Sequence, residues 1–357
     1  MKILIDIGHP AHIHYFKNMV DVLSKKGYEF LFTVRERDST IELMKNLGYK
    51  YVNRGKGGKG LVSKFLQVPI IDCKILKIAL RFKPDLFLSF SSPYAAHIAT
   101  ILRKPHIALD DTEHAVLEHL LYRPFSRVIL SPSCYNKKLS RNQITFNSYL
   151  ELCYMHPKYF KPDESILNKL GLKKGEKYCV LRFVSWDANH DVGQHGLSLE
   201  NKIEMVNKLS QCCKVFISSE QKLPDKLLGY KLSIHPSLLH SVLSFAHLYI
   251  GEGSTTASEA SVLGVPTIYV NTLQVGYCEE EEKKYGLLYR LFNINDIVSK
   301  AMEILRDPES KNKYIRRKDQ LLDDKIDATA FMIWFIENWP ESYEVMKVNP
   351  DYQNRFK

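Results

Sequence analysis

Residues 248–271 read LYIGEGSTTASEASVLGVPTIYVN, and this stretch decides the fold. The apolar run 247–250 ends at Gly251-Glu252-Gly253. Residues 255–263 carry helical spacing, and Gly264-Val265-Pro266 leads into a second apolar run. Strand, glycine turn, helix and strand in that order belong to a parallel α/β sheet. Glycines let the backbone come close to a ligand. Ser254, Thr255 and Thr256 place hydroxyls and spare N–H groups at a helix start, where the dipole favours a phosphate. Glu259 follows one turn later, and a carboxylate there suits the two hydroxyls of a ribose. The competing reading is ordinary helix capping by Ser254 or Thr255, with Glu259 on a solvated face.

The same alternation extends outward. In the first half, Ile3–Ile7, Glu29–Val34, Asp85–Phe90, His106–Leu109 and Arg127–Leu130 read as strands. Helical stretches separate them, one ending at Gly27 and another at Gly48. The pattern pauses near Pro157 and Pro162 and then restarts, with strands at Lys177–Val184, Lys214–Ser218, His247–Ile250 and Pro266–Val270. The expected class is α/β: two Rossmann-like βα domains facing a central cleft. Residues 1–155 are expected to form the first domain and 156–325 the second. The helical tail 326–357 is expected to pack back on the first. In such sheets ligands sit beyond the carboxyl ends of the strands.

Composition excludes several classes. The chain of 357 residues is 45% hydrophobic and 25% charged, which rules out a disordered chain, a coiled coil and a collagen-like fibre. Its net charge of +10 points to a polyanionic partner: nucleic acid, an acidic membrane surface or phosphorylated ligands. No basic helix or RNA-binding motif supports nucleic acid. The seven cysteines form no C-x-x-C pair and read as buried thiols of a reducing compartment. No run approaches the ~18 apolar residues of a membrane span. The expected location is the cytoplasm, with peripheral contact at the inner face of the cell membrane.

With these residues in place, the segment 248–271 resembles the donor-nucleotide site of GT-B glycosyltransferases. It is similar in particular to the lipid II-forming N-acetylglucosaminyltransferases and to the UDP-N-acetylglucosamine 2-epimerases. The resemblance implies that Gly253, Ser254, Thr255 and Thr256 serve the diphosphate and Glu259 the ribose. It implies that the loop at Ile234-His235-Pro236 holds the base, with His235 at the matching position. The first half, from IDIGHPAHIHYFK at residue 5 to LDDTEH at residue 114, resembles the glycosyltransferases in element order, with His12 at the matching histidine. D-I-G-H-P-x-H and R-F-x-S-W-x-A-x-H-D also resemble the marks of an uncharacterised GT-B-like family. The 2-epimerases carry Gly-Asp where this chain has Ser91-Ser92, which favours transfer over epimerisation, with hydrolysis left open.

Several residues are candidates for the chemistry. The loop RFVSWDANHDVGQHG, 182–196, follows a strand. Arg182 can pair with a diphosphate, and Ser185 or the backbone at Trp186 can cradle it. His190 lies in a cluster with Asp187, Asp191 and His195, suited to proton transfer or to a plain Asp–His hydrogen bond. No metal-ligand spacing accompanies it, so neither metal nor cofactor is expected. Gly8 and His9 lie at a strand's carboxyl end on the acceptor side. His12 is the first candidate to take the acceptor's proton, and Asp110 or Asp111 the second. The two aspartates can equally cap the next helix. The stretch 56–83 alternates Lys and Arg with Leu, Ile and Phe. It reads as a core-packed helix with an outer basic face, or as a surface lying on anionic lipid. Glu279–Glu282 with Lys283-Lys284 reads as a solvated helix face.

Overall fold

The structure, a computed structural model, describes residues 1–37, 39–58, 61–173, 175–184, 197–219 and 222–357. The chain divides into two compact units. Residues 1–154 and 325–357 form unit 1, and 155–324 form unit 2. Both are α/β, each built on a parallel sheet.

Unit 1 begins with β1 (Lys2–Ile7), α1 (Pro10–Lys25), β2 (Glu29–Arg35), α2 (Thr40–Asn46) and β3 (Tyr51–Gly55). It continues with α3 (Leu61–Phe82), β4 (Leu86–Phe90), α4 (Pro93–Ile101), β5 (His106–Leu109), α5 (Val116–Tyr122), β6 (Val128–Pro132) and β7 (Gln143–Phe146). The strand order is β3-β2-β1-β4-β5-β6-β7, so the order reverses between β1 and β4. That reversal opens a crevice at the carboxyl ends of β1 and β4, where sheets of this kind bind ligands. Helix α1 stops because Gly27 takes φ 87, a conformation that side chains with a Cβ disfavour. The central strands are buried on both faces; Ile3, Leu4, Ile5 and Ile7 of β1 are fully inaccessible. Each such side chain contributes roughly 1.5–3 kcal/mol through burial.

The connection passes through α6 (Leu152–Met155) and α7 (Ser165–Lys169) into unit 2. There β8 (Tyr178–Phe183), α8 (Leu199–Leu209), β9 (Lys214–Ser219), α9 (Leu239–Phe245), β10 (Leu248–Gly251) and α10 (Ser254–Val262) follow in turn. Next come β11 (Thr267–Tyr269), α11 (Gly276–Glu280), β12 (Leu288–Arg290), α12 (Ile294–Arg306) and α13 (Ser310–Asp324). The sheet order is β12-β11-β10-β8-β9. Leu181, Ile217, Ile250 and Ile268 meet Met205 and Leu209 of α8 and Ile297 and Ala301 of α12 in one core. The chain then returns to unit 1 as α14 (Ala328–Glu337) and α15 (Glu341–Val348). Met332 and Ile336 of α14 face Phe16 and Met19 of α1.

Three strands lack a sequence signal: β3, β7 and β12. All three are sheet edges. An edge strand need not be apolar on both faces, so YVNRG, QITF and LYR carry no continuous hydrophobic run. The segment Glu279–Glu282 is not a solvated face. Glu281 is fully buried in a π-helical turn, where Ser258 Oγ donates to its Oε1 at 2.5 Å. Glu282 pairs with Arg290 Nε at 2.7 Å. Among the described residues no helix is long and apolar enough to cross a membrane.

Candidate functional site

In unit 2 the predicted nucleotide residues gather at the carboxyl ends of β8 and β10. Register pairs Gly251 with Arg182. Gly253 occupies the N-cap of α10, a helix with no acidic residue in its first turn. Ser254 and Thr255 are partly exposed, and Thr256 is buried. Arg182 Nη1 donates to Ser218 Oγ at 2.8 Å, which fixes the guanidinium across the strand ends. Glu259 is buried on α10, and His240 of α9 places Nε2 3.1 Å from its Oε1. A solvated Glu259 is therefore not what the helix presents. His235 is exposed, and its Nδ1 accepts from Ser237 N at 3.3 Å, capping the short turn Pro236–Leu238. Ser185, Trp186 and His190 lie outside the described residues.

Glu252 has a role that its setting between two glycines concealed. Its carboxylate is nearly inaccessible. Oε2 accepts from Val184 N at 3.1 Å and Oε1 from Leu197 N at 3.0 Å. Lys202 Nζ stands 3.2 Å from Oε1. One buried anion thus ties together the chain on either side of residues 185–196. The available signal was an acidic residue directly after a buried strand.

In unit 1 the candidates lie at the carboxyl ends of β1 and β5. His9 caps α1, its Nδ1 accepting from Ala11 N at 3.2 Å. His12 packs on Phe90, with ring centroids 4.5 Å apart, and its Nδ1 accepts from Gly8 N at 3.4 Å. That contact leaves the proton of the neutral ring on Nε2. Burial lowers the His12 pKa well below the usual imidazole range, and the charges of His9, Arg37 and Arg54 lower it further. His12 is thus a neutral imidazole in electropositive surroundings.

Below His12 lies a buried network that sequence reading missed. Asp6 of β1 receives Arg54 Nε at 2.9 Å and Nη2 at 3.3 Å, Thr33 Oγ1 at 2.7 Å and Ser92 Oγ at 2.6 Å. These partners come from β3, β2 and the turn after β4, so one carboxylate joins four strands at the point where their order reverses. The signal was an aspartate inside the apolar run ILIDI.

At the end of β5, Asp110 accepts from Thr112 N at 2.8 Å and from the Tyr122 hydroxyl, with His119 Nε2 3.1 Å away. Asp111 is also buried. Desolvation first, then the charges of Asp110 and Glu113, push its pKa up to about 8, so it holds a proton at neutral pH. Among the described residues no three His, Cys, Asp or Glu converge as a metal site.

Comparisons with known proteins agree with this frame. The chain superimposes on the S. aureus MnaA–UDP co-structure with a TM-score of 0.68 at 13% identity, covering 96% of this chain and 97% of that one. It superimposes on the UDP-GlcNAc 2-epimerase of Methanocaldococcus jannaschii with a TM-score of 0.63 at 14% identity, over 90% and 99%. The Streptomyces sp. SF2575 glycosyltransferase SsfS6, complexed with thymidine diphosphate, gives 0.60 at 13% identity, over 94% and 99%. These similarities establish the GT-B fold. In sequence, an uncharacterized protein of Methanocaldococcus jannaschii is 25% identical over 281 residues, 75% of this chain and 81% of that protein. The model of the family described as "Protein of unknown function (DUF354)" matches residues 1–331, and the chain therefore belongs to that family, on a GT-B frame.

Proposed function

We propose that the protein is a glycosyltransferase that moves a sugar from a nucleoside diphosphate, UDP favoured, to an acceptor in cell-surface glycan synthesis. The observation that carries this reading is the grouping on unit 2 of the Gly251–Gly253 turn, the hydroxyl-bearing start of α10, Arg182 and buried Glu259. The helix start and Arg182 suit a diphosphate, and Glu259 suits a ribose. Gly8, His9 and His12 on unit 1 supply the acceptor side. On this reading the acceptor hydroxyl forms the new glycosidic bond, the sugar–phosphate bond breaks, and the acceptor's proton passes to His12 or a neighbouring carboxylate. His12 can accept it at Nε2 only once Nδ1 carries the ring proton, which requires the Gly8 contact to open.

The test is a thermal-shift panel with UDP, GDP and CDP. UDP is expected to stabilise the wild type and to lose that effect in Glu259→Ala. If all three nucleotides leave the melting temperature unchanged, the donor-site reading is wrong.

A second reading, epimerisation or hydrolysis of the same nucleotide sugar, draws support from Asp111, a carboxylic acid that keeps its proton at neutral pH. Incubating UDP-N-acetylglucosamine without an acceptor separates the two readings, since an epimerised or hydrolysed product would displace transfer.

Contact with anionic lipid through residues 56–83 is part of the proposal. On α3, Leu66 and Ile70 are 69% and 56% exposed, with Lys74, Lys77 and Arg81 also exposed. On the neighbouring helices, Ile101 of α4 and Leu120 of α5 are 61% and 63% exposed. His97 joins these helices, its Nδ1 2.9 Å from Asp72 Oδ2 of α3 and its Nε2 3.1 Å from Leu121 O of α5. A basic and apolar face of this kind suits a lipid-linked acceptor.

A further inference from the structure

The strands beneath α10 carry two tyrosines where buried parallel strands usually carry aliphatic residues. Tyr249 of β10 and Tyr269 of β11 are both fully inaccessible. Register sets Tyr269 beside Gly251. Tyr249 and Gly251 are two apart and share one face of β10. The Tyr249 side chain folds up under Gly251, so that a Cβ at 251 would lie 2.1 Å from its hydroxyl oxygen. Gly251 therefore makes room for a hydroxyl, and both phenols end at the carboxyl edge of the sheet, under the turn that starts α10.

Among the described residues, neither hydroxyl closes a hydrogen bond of standard geometry. Each nevertheless stands near a first-turn hydroxyl of α10, Tyr249 near Thr256 and Tyr269 near Ser254. Arg182, Glu259 and Glu252 are also within electrostatic reach of Tyr249. Burial holds both phenols far above their ordinary range, so both keep their protons and remain donors. A buried donor without a full partner is costly, and its replacement by an apolar group of the same shape is neutral or stabilising. Two such hydroxyls side by side, under the start of a nine-residue helix, mark a place where stability is given up for a ligand.

We propose that Tyr249 and Tyr269 are positioning residues of an anion site at the start of α10: when an anion binds, their hydroxyls close onto Thr256 and Ser254, which turn their own hydrogens outward to phosphate oxygens. The inference rests on the donor-site reading and adds the groups that orient it. A Ser or Thr hydroxyl has one hydrogen to give. Left alone, it tends to give that hydrogen to a nearby backbone carbonyl. A phenol donating from below occupies the acceptor side of the hydroxyl and leaves its hydrogen for the ligand. The resulting chain, phenol to alcohol to phosphate, is polarised along its length by the anion. No covalent bond changes and no proton is transferred.

The test uses the full chain with Tyr249→Phe, Tyr269→Phe and the double variant. Urea unfolding reports stability, and calorimetry reports binding of UDP, pyrophosphate and uridine. The expected result is an unfolding midpoint equal to or above that of the wild type, with Kd for UDP and for pyrophosphate raised about five- to tenfold per hydroxyl. Uridine, which has no phosphate, is expected to bind as before. Unchanged Kd values with raised stability would show the hydroxyls to be merely buried and would overturn the proposal. A loss of stability that parallels the loss of binding, uridine included, would assign them a packing role and overturn it as well. Wild type that binds pyrophosphate but not UDP removes the donor reading and leaves the anion site standing. Variants that bind UDP like the wild type remove the proposal and leave the donor reading intact.

Discussion

His240 Nε2 stands 3.1 Å from Glu259 Oε1, joining the first turn of α9 to the middle of α10. A buried carboxylate needs such a partner, because desolvation without one is costly. The partner also fixes the direction in which the carboxylate points. Glu259→Gln keeps the shape and removes the charge, and is expected to weaken UDP binding by about ten- to a hundredfold. His240→Phe should cost less, roughly tenfold, because it removes the orientation and leaves the acceptor. Calorimetric titration with UDP checks both, and equal Kd values in the wild type and Glu259→Gln would remove Glu259 from the site.

Glu252 serves structure more than chemistry. Glu252→Ala strands the partly buried Lys202 and two partly buried backbone N–H groups, and should cost roughly 1–3 kcal/mol of unfolding free energy. Glu252→Gln keeps an acceptor oxygen and should cost less. Urea denaturation measures both, and an alanine variant as stable as the wild type would show that the two N–H groups find other acceptors.

The Asp6–Arg54 pair calls for a double-mutant cycle. Either single change, Asp6→Asn or Arg54→Met, leaves a buried group uncompensated and should cost ~3–5 kcal/mol. The double variant is expected to recover part of that loss, giving a coupling of roughly 0.5–3 kcal/mol. Additive losses would show that the two residues act through separate partners.

Two buried groups give the protein opposite pH slopes. His106 is held between Ser89 Oγ and Ser126 Oγ, each 2.9 Å away, and burial pushes its pKa down to about 3. Its contribution is present above about 6.5 and is lost as pH falls toward 3, at up to ~1.4 kcal/mol per pH unit, because the unfolded chain binds the proton more readily. Asp111, raised to about 8, contributes most at low pH and loses that contribution as pH rises from about 4 to 8. The slopes oppose each other between about 4 and 6.5, so stability should be flat there and fall on either side. Unfolding midpoints across pH should lose the acid limb in His106→Gln and the alkaline limb in Asp111→Asn.

The central strands of both sheets were legible in the sequence because burial on two faces writes a continuous apolar run. The helix start at Ser254 was legible because glycine and hydroxyl residues cluster before helical spacing. His240, Tyr249, Tyr269 and Arg54 were not. Each acts through a partner distant in sequence or adjacent only across strands, and none breaks the periodicity of its own element. Asp6 and Glu252 did break it. Each is a single acidic residue in or directly after an apolar strand, which is where a buried network announces itself. The residues proposed for the nucleotide lie mostly in one segment of sequence, but the manner in which Glu259 is held depends on His240 of α9, outside that segment.

The assignment of residues 325–357 to unit 1 has a consequence for synthesis. The side chains of α14 that cover α1, Met332 among them, leave the ribosome only after all of unit 2. Until then the apolar face of the nascent amino-terminal sheet around Phe16 and Met19 waits uncovered. The contiguous 155–324 segment, by contrast, has every element of its unit, helices included, as soon as it emerges. The 155–324 segment is thus placed to mature before the 1–154 segment, which depends on helices translated after both.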